Sequence, residues 1–146
     1  MSPTQRQVPI AEGLFTGPPD APQLVGSRCT RCREVAFPKQ SSCPACTSDS
    51  TEEVLLARRG TLWTWTIQRF PPPPPYIGDV EHFEPYGVGY VELPEGVRVE
   101  ARLTTADPAA LAIGMEMELV LEKFVDGPDG VARMSFAFAP VAPAGR

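Results

Sequence analysis

Apolar and polar side chains alternate along most of the sequence from Val54 onwards. The alternation is clearest in residues 115–124. Over 115–122, every second side chain of this run is Met or Leu and most of the others are Glu. Residues 86–93, 97–103 and 132–138 follow the same period less strictly. Because successive side chains of a β-strand point to opposite faces, these stretches are predicted to be strands.

A further strand is predicted at residues 61–67, which are rich in Trp and Thr. A period of two places Trp63, Trp65 and Ile67 on one face and the threonines between them on the other. This apolar face suits a barrel interior. The alternative is that the tryptophans stack on bases, as aromatic side chains do in OB-fold proteins that bind nucleic acids.

The segments between the predicted strands carry turn and cap signals. Residues 93–97 and 126–130 contain Pro, Gly or Asp in the arrangement of hairpin turns. Asp107 is predicted to cap a short helix that starts at Pro108 and ends at Gly114. Five strands with a helix between the third and the fourth predict a five-stranded Greek-key barrel of the OB type. A partial sandwich is the architecture that the pattern leaves open.

Composition and charge narrow the protein class. The chain has 146 residues, of which 18 are Pro and 12 are Gly, and this frequency excludes a helical bundle. The net charge is −5, with an excess of two basic residues in residues 1–78 and of seven acidic residues in 79–146. Binding to nucleic acid through bulk charge is therefore not expected. The sequence shows neither an apolar stretch of membrane-spanning length nor a signal peptide, so we predict a cytoplasmic protein with reduced cysteines.

All four cysteines fall in one short segment, as the pairs Cys29/Cys32 and Cys43/Cys46. Two Cys-x-x-Cys pairs in a reducing compartment are typical of a four-thiolate Zn²⁺ site, which is closed and structural. A redox-active pair would need a helix start in a βαβ unit, which the sequence does not show. Iron is the chemical alternative to zinc.

These cysteines complete a prediction of the fold: a mainly β protein with an N-terminal four-cysteine zinc ribbon followed by a five-stranded OB-like β-barrel. The predicted division is 1–22 for an N-terminal extension, 23–52 for the ribbon and 53–146 for the barrel. Within the extension, residues 9–16 are expected to form one or two helical turns around Leu14 and Phe15.

Basic residues surround the cysteines in the sequence. They are Arg28, Arg31, Arg33 and Lys39, with Glu34 as the opposing charge. Four thiolates on Zn²⁺ carry a net charge of −2, so these cations either balance the metal centre or form a patch that binds phosphate. Both roles are compatible.

Several blocks of sequence occur in an order found in a known family. They are the two cysteine knuckles with Phe37 and Pro38 between them, then residues 60–66, 85–93, 96–98, 113–118 and 138–140. In this order they resemble the zinc-ribbon and OB-fold proteins called domain of unknown function thirty-five, which are partners of thiolase-like enzymes.

The resemblance implies an accessory role. It implies a hetero-oligomer in which a thiolase-fold subunit (a thiolase, an acyl-CoA synthase or a retro-aldolase) carries the catalytic groups, so no catalytic residue is assigned to this chain. It also implies that ribbon and barrel help to enclose an acyl-CoA, as some members do in steroid side-chain degradation. The cations Arg28, Arg31, Arg33 and Lys39 are then the expected contacts of the CoA phosphates.

A proline run at residues 71–75 is predicted to form a stiff polyproline II segment. It is flanked by the aromatic residues Phe70, Tyr76, Phe83 and Tyr86, which we expect to contact a partner subunit. The alternative is a loop folded on its own barrel.

Two other functions remain to be weighed against the accessory role. One is binding of single-stranded nucleic acid, against which the acidic second half of the chain argues. The other is a stand-alone thioesterase or lyase, which would depend on His82, the single histidine. A lone histidine in an acidic loop is typically a solvated residue.

Overall fold

Strands dominate the computed structural model, which describes residues 7–9, 13–18, 20–71, 81, 83–126 and 129–141. The strands are β1 (Gln7–Pro9), β2 (Phe15–Thr16), β3 (Gln23–Cys29), β4 (Val35–Ala36), β5 (Thr51–Leu55), β6 (Arg59–Gln68), β7 (Tyr86–Glu92), β8 (Arg98–Leu103), β9 (Glu116–Asp126) and β10 (Ala132–Pro140). A single 3-10 turn, Pro108–Ala110, lies between β8 and β9. The predicted mainly β class is confirmed.

Strands β6 to β10 close into a barrel. Their order is β10-β8-β7-β6-β9, and β9 pairs with β10 to complete the circle. All of these pairs are antiparallel except β8 with β10, where Ala137 lies beside Arg102 in a parallel ladder. This arrangement confirms the five-stranded closed barrel and excludes the partial sandwich.

The barrel interior is filled by the apolar positions of the alternating pattern. Gly87, Gly89 and Val91 of β7 point inwards, as do Met117 and Leu119 of β9. The fully buried side chains of the whole core include Leu24, Leu56, Leu62, Leu93, Val99 and Phe138. Since Leu24 and Leu56 precede the barrel strands, one apolar cluster joins the barrel to the ribbon.

The predicted turns and caps form between the strands of the barrel. In the hairpin between β7 and β8, the Gly96 amide donates to the Leu93 carbonyl at 2.9 Å, with Gly96 at a φ of +91°. The Asp107 carboxylate caps the 3-10 turn by accepting from the Ala109 amide at 3.0 Å. Of the turn predicted at 126–130, residues 127 and 128 lie outside the described ranges.

The orientation of the tryptophans differs from the prediction. β6 has an irregularity at Trp63: Leu62 pairs with Val91 and Thr64 with Tyr90, which leaves Trp63 as an extra residue. Such a β-bulge shifts the inward and outward positions by one. Leu62 is therefore fully buried while Trp63 is 46% exposed, so the prediction that Trp63 and Trp65 share the barrel interior is wrong for Trp63.

The helical turn predicted around Leu14 and Phe15 is also wrong. Phe15–Thr16 forms strand β2, and the Leu14 carbonyl accepts from the Val25 amide at 3.0 Å. Pairing with β3 satisfies the backbone and lets Phe15 pack on the core, which one isolated helical turn could not do. Residues 10–12 of the predicted helix lie outside the described ranges.

The ribbon consists of β3 with β4 and β5 on its two edges. It packs on the barrel through Val35, Val54 and Phe37, and the Phe37 ring meets Phe136 of β10 edge-on at 5.5 Å between centroids. The loops that carry the cysteines are thereby held against the barrel.

A methyl group at Gly89 is expected to destabilise the barrel. An added Cβ would lie 2.8 Å from the Thr64 carbonyl oxygen and 3.0 Å from a Leu62 methyl. Gly89→Ala should therefore lower the free energy of unfolding by about 1–3 kcal/mol in urea titrations. Thr66→Ala, on the solvent side of β6, should change it by less than about 0.5 kcal/mol. Equal stability of both variants would contradict the packing described for β7.

Candidate metal centre

Two similar loops present the four cysteines. In the first, the amides of Arg31 and Cys32 both donate to Cys29 Sγ at 3.4 Å. In the second, the amides of Ala45 and Cys46 donate to Cys43 Sγ at 3.3 and 3.4 Å. Each loop is thus a knuckle whose backbone amides converge on the sulfur of its first cysteine, as suits a negatively charged ligand.

Each knuckle closes with a residue in the left-handed region. Arg33 has a φ of 70° and its amide donates to the Cys29 carbonyl at 3.0 Å. Thr47 has a φ of 65° and donates to the Cys43 carbonyl at 2.9 Å. These are the two positions where a glycine is common after a knuckle, and the hydrogen bonds hold the less favourable conformation in place.

The four sulfur atoms lie together as the ligands of one ion would. Cys29 Sγ is 3.5 Å from Cys46 Sγ, Cys32 Sγ is 3.5 Å from Cys43 Sγ, and all four lie within 4.8 Å of one another. None forms a disulfide. Tetrahedral thiolates at about 2.3 Å from Zn²⁺ stand roughly 3.8 Å apart. The spacing therefore fits a metal ion that links the two knuckles.

The knuckles favour thiolate at the two buried sulfurs. The amide hydrogen bond from Cys32 is the main cause that lowers the pKa of Cys29 to about 6. The amide of Cys46 likewise lowers the pKa of Cys43. For Cys32 the Glu34 amide lowers the pKa, but the hydrogen bonds to the other three sulfurs and desolvation together raise it to about 12. The four cysteines are positioned to bind one metal ion.

The basic residues predicted around the centre separate into two kinds. Arg28 lies 4.0 Å from a Glu52 carboxylate oxygen, and Lys39 lies 3.2 Å from one of Glu53. Arg31 and Arg33 are exposed on the first knuckle and have no carboxylate partner among the described residues. The structure therefore does not bring the four cations into one free patch.

The aromatic residues predicted to face a partner also differ from one another. Phe70 is 77% exposed at the end of β6. Phe83 and Tyr86 are partly buried and meet edge-on at 5.9 Å, and Arg102 lies over the Tyr86 ring at 4.2 Å. Tyr76, His82 and the rest of the proline run, residues 72–75, lie outside the described residues.

A shallow depression on the outside of the barrel was not identified in the sequence. Three adjoining hollows of about 420, 400 and 200 Å³ cover β7, β8 and their neighbours, and Glu100 lines all three. Val88, Tyr90 and Phe136 each line two of them. We call these four residues the Glu100 face. The alternation along β7 and β8 was the available signal, because it places Val88, Tyr90 and Glu100 opposite the inward-facing residues.

No helix in the described part of the chain has the length and apolar character needed to cross a bilayer.

Comparison with known proteins agrees with both parts of the fold. Residues 17–52 match the model of a "ChsH2, rubredoxin-like zinc ribbon domain", and residues 53–122 match that of a "ChsH2, C-terminal OB-fold domain". The solved structure of an Ltp2-ChsH2(DUF35) aldolase is similar, with a TM-score of 0.58 and 30% identity over 81% of this chain and 84% of that chain.

Two curated relatives are similar to this chain over most of their length. The benzoylsuccinyl-CoA thiolase subunit BbsA of Thauera aromatica is 36% identical over 88% of this chain and 85% of its own. A DUF35 domain-containing scaffold protein of Pyrococcus furiosus is 35% identical over 82% and 84%. With its paired knuckles, closed barrel and these matches, the chain belongs to the DUF35 family of proteins, in which a ChsH2-type rubredoxin-like zinc ribbon precedes an OB-fold domain.

Proposed function

We propose that this chain is a non-catalytic accessory subunit of a thiolase-fold enzyme that acts on an acyl-CoA. The observation that carries the proposal is the 36% identity to a protein named as a thiolase subunit, over most of both chains. The similarity to the DUF35 chain of an aldolase structure supports an accessory role next to a catalytic subunit. The partner is a thiolase, an acyl-CoA synthase or a retro-aldolase, in steroid side-chain breakdown or a related acyl-CoA pathway of the cytoplasm.

The geometry of the described residues supports a role without catalysis. The four thiols form one closed ligand set, which leaves no open coordination position for a substrate. The hollows of the barrel are open depressions on its outer surface. A catalytic site built from the hollows of the described residues would lack the enclosure that excludes water from a reacting thioester.

The metal in this proposal is Zn²⁺, whose preference for four thiolates matches the ligand set. It would tie the two knuckles together, with the ribbon at 23–52 and the barrel at 53–146 acting as two units after the extension at 1–22. Arg31 and Arg33 are the proposed contacts of the CoA phosphates. Arg28 and Lys39 contribute less, because Glu52 and Glu53 compete for them.

The proposed interface of the hetero-oligomer includes Phe70, whose ring is exposed just after the end of β6. Phe83 and Tyr86 form the partly buried edge of the same region, and Tyr76 belongs to the proposal through the sequence alone. A nucleic acid is not a partner in this proposal, because carboxylates accompany the cations of the barrel surface.

Purification of the tagged chain from its native host under gentle conditions tests the proposal. We expect a thiolase-fold subunit to co-purify in a fixed ratio, identified by mass spectrometry, and the complex alone to cleave or condense an acyl-CoA. The isolated chain should be inactive as a thioesterase or lyase. An untagged strain is the control. A thioesterase activity of the isolated chain, or its purification without any thiolase-fold subunit, would contradict the accessory role.

A further inference from the structure

The Glu100 face combines a carboxylate with aromatic and apolar surface. Tyr90 is 39% exposed, and its hydroxyl donates to Glu100 Oε2 at 3.1 Å. Val88 lies beside Tyr90 on the outside of β7, and the Phe136 ring borders two of the hollows. The carboxylate thus borders all three hollows, whose walls combine rings and aliphatic groups with the guanidinium groups of Arg98 and Arg102.

The two arginines beside Glu100 on β8 are already neutralised. Arg98 Nε lies 3.0 Å from Glu92 Oε2, and Arg102 Nε lies 3.4 Å from Glu122 Oε1. Glu100 has no cationic partner among the residues that the structure describes, and its carboxylate accepts a hydrogen bond from the Tyr90 hydroxyl. The pKa of Tyr90 is raised by that hydrogen bond and by the charge of Glu100. Among the described residues that line these hollows, Glu100 therefore carries the charge that has no ion pair, whereas both arginines have one.

Two aromatic rings next to the Glu100 face each have a cation stacked on them. The Arg98 guanidinium lies over the Trp63 ring at 4.0 Å from the centroid, and the Arg102 guanidinium lies over the Tyr86 ring at 4.2 Å. Cation–π contacts of this kind combine with a carboxylate to select a positively charged side chain. A phosphate group, in contrast, would be repelled by the negative charge of Glu100.

We propose that the Glu100 face is a docking site for an arginine or lysine side chain of a partner protein, flanked there by apolar residues. This inference rests on the proposed function, because the partner it names is the thiolase-fold subunit. The charge complementarity selects the occupant: the cation pairs with Glu100 and lies on the Tyr90 ring, while the neighbouring apolar residues cover Val88 and Phe136.

Peptide titration tests the chemistry of the face without the partner. The probes are acetyl-Leu-Arg-Leu-amide and its neutral match acetyl-Leu-Gln-Leu-amide, followed by amide NMR shifts. We expect the arginine peptide to shift the amides of Val88, Tyr90 and Glu100. It should bind about three- to fivefold more tightly than the glutamine peptide, and this preference should shrink as salt is added.

Glu100→Gln should abolish this preference, since Gln keeps the hydrogen bond from Tyr90 but not the charge. Glu116→Gln on β9, which removes a charge paired with Arg59 elsewhere on the barrel, should leave the preference unchanged. Equal binding of both peptides to the unaltered protein, or shifts confined to other surfaces, would overturn the inference. So would tighter binding of adenosine monophosphate to the same residues.

Charge reversal tests the face within the complex. Glu100→Lys should reduce the amount of thiolase-fold subunit recovered with the tagged chain severalfold, while the matched Glu116→Lys should not. Recovery of the full complex with Glu100→Lys would overturn this inference and leave the proposed function intact. If the unaltered chain recovers no such subunit, the proposed function is wrong. The peptide titration then tests the Glu100 face independently of the partner.

Discussion

Replacing Cys29 by serine is expected to remove the metal and unfold most of the ribbon. Cys29 Sγ is buried, accepts two amide hydrogen bonds and lies 3.5 Å from Cys46 Sγ. Its replacement therefore removes the most buried of the four ligands. Binding of a structural metal contributes about 10–16 kcal/mol to the folding of small zinc domains at pH 7. Such domains rarely fold without it.

Elemental analysis and amide NMR measure this result. The unaltered protein should hold about one metal ion per chain, and the Cys29→Ser variant much less than one, with the largest spectral changes in residues 27–52. Ala45→Ser is the matched control, because the Ala45 amide rather than its side chain contacts the Cys43 sulfur. A Cys29→Ser protein with full metal content and an unchanged spectrum would show that the four sulfurs do not bind one ion.

Truncating Phe138 to alanine is expected to have the largest effect on the barrel. The side chain has no exposed surface and lies on β10 opposite Leu119, with Leu103 of β8 on its other side. Removal of a buried phenyl ring typically costs about 3–5 kcal/mol through lost burial and the remaining cavity. That is a large part of a total stability of about 5–15 kcal/mol.

Urea unfolding of Phe138→Ala measures the cost, with Phe70→Ala as the control. The control removes the same ring from a position that is 77% exposed, so its free energy of unfolding should stay within about 0.5 kcal/mol of the unaltered protein. If both variants lose similar stability, Phe138 is not in the core of a closed barrel.

The elements that the sequence predicted well are those specified by local patterns. The Met and Leu positions of β9 point inwards as the alternation requires, since a strand with one buried face has a single usable register. The hairpin at Gly96 and the cap at Asp107 form for equally local reasons, a positive φ and a carboxylate near free amides. The cysteine spacing was sufficient to place the four sulfurs together.

Predictions failed where distant residues determine the structure. The period of two in β6 is broken at Trp63, because Leu62 and Thr64 pair with consecutive residues of β7. Phe15 joins a strand because β3 offers it a partner. Nothing in the sequence near these residues indicates either pairing.

The basic residues around the metal centre do not form one free patch, for the same reason. The register of β3 and β5 brings Glu52 beside Arg28, so a cation that looks free in the sequence is paired in the fold. The Glu100 face shows the opposite case. Glu100 has no ion pair among the described residues, because the arginines on either side of it along β8 pair with Glu92 of β7 and Glu122 of β9.

The position of β10 in the barrel has a consequence for the order of folding. The ribbon strands β3 and β5 are joined by residues 30–50 and need no part of the later chain, so they can meet early during synthesis. The barrel closes through β10, which contacts β9, β8 and also β1, where Gln7 pairs with Ala132 near the other end of the described chain. Contacts between distant parts of the sequence form slowly. The nascent chain is thus expected to bind its metal while the barrel is still open, with the ribbon as the template on which the later strands assemble.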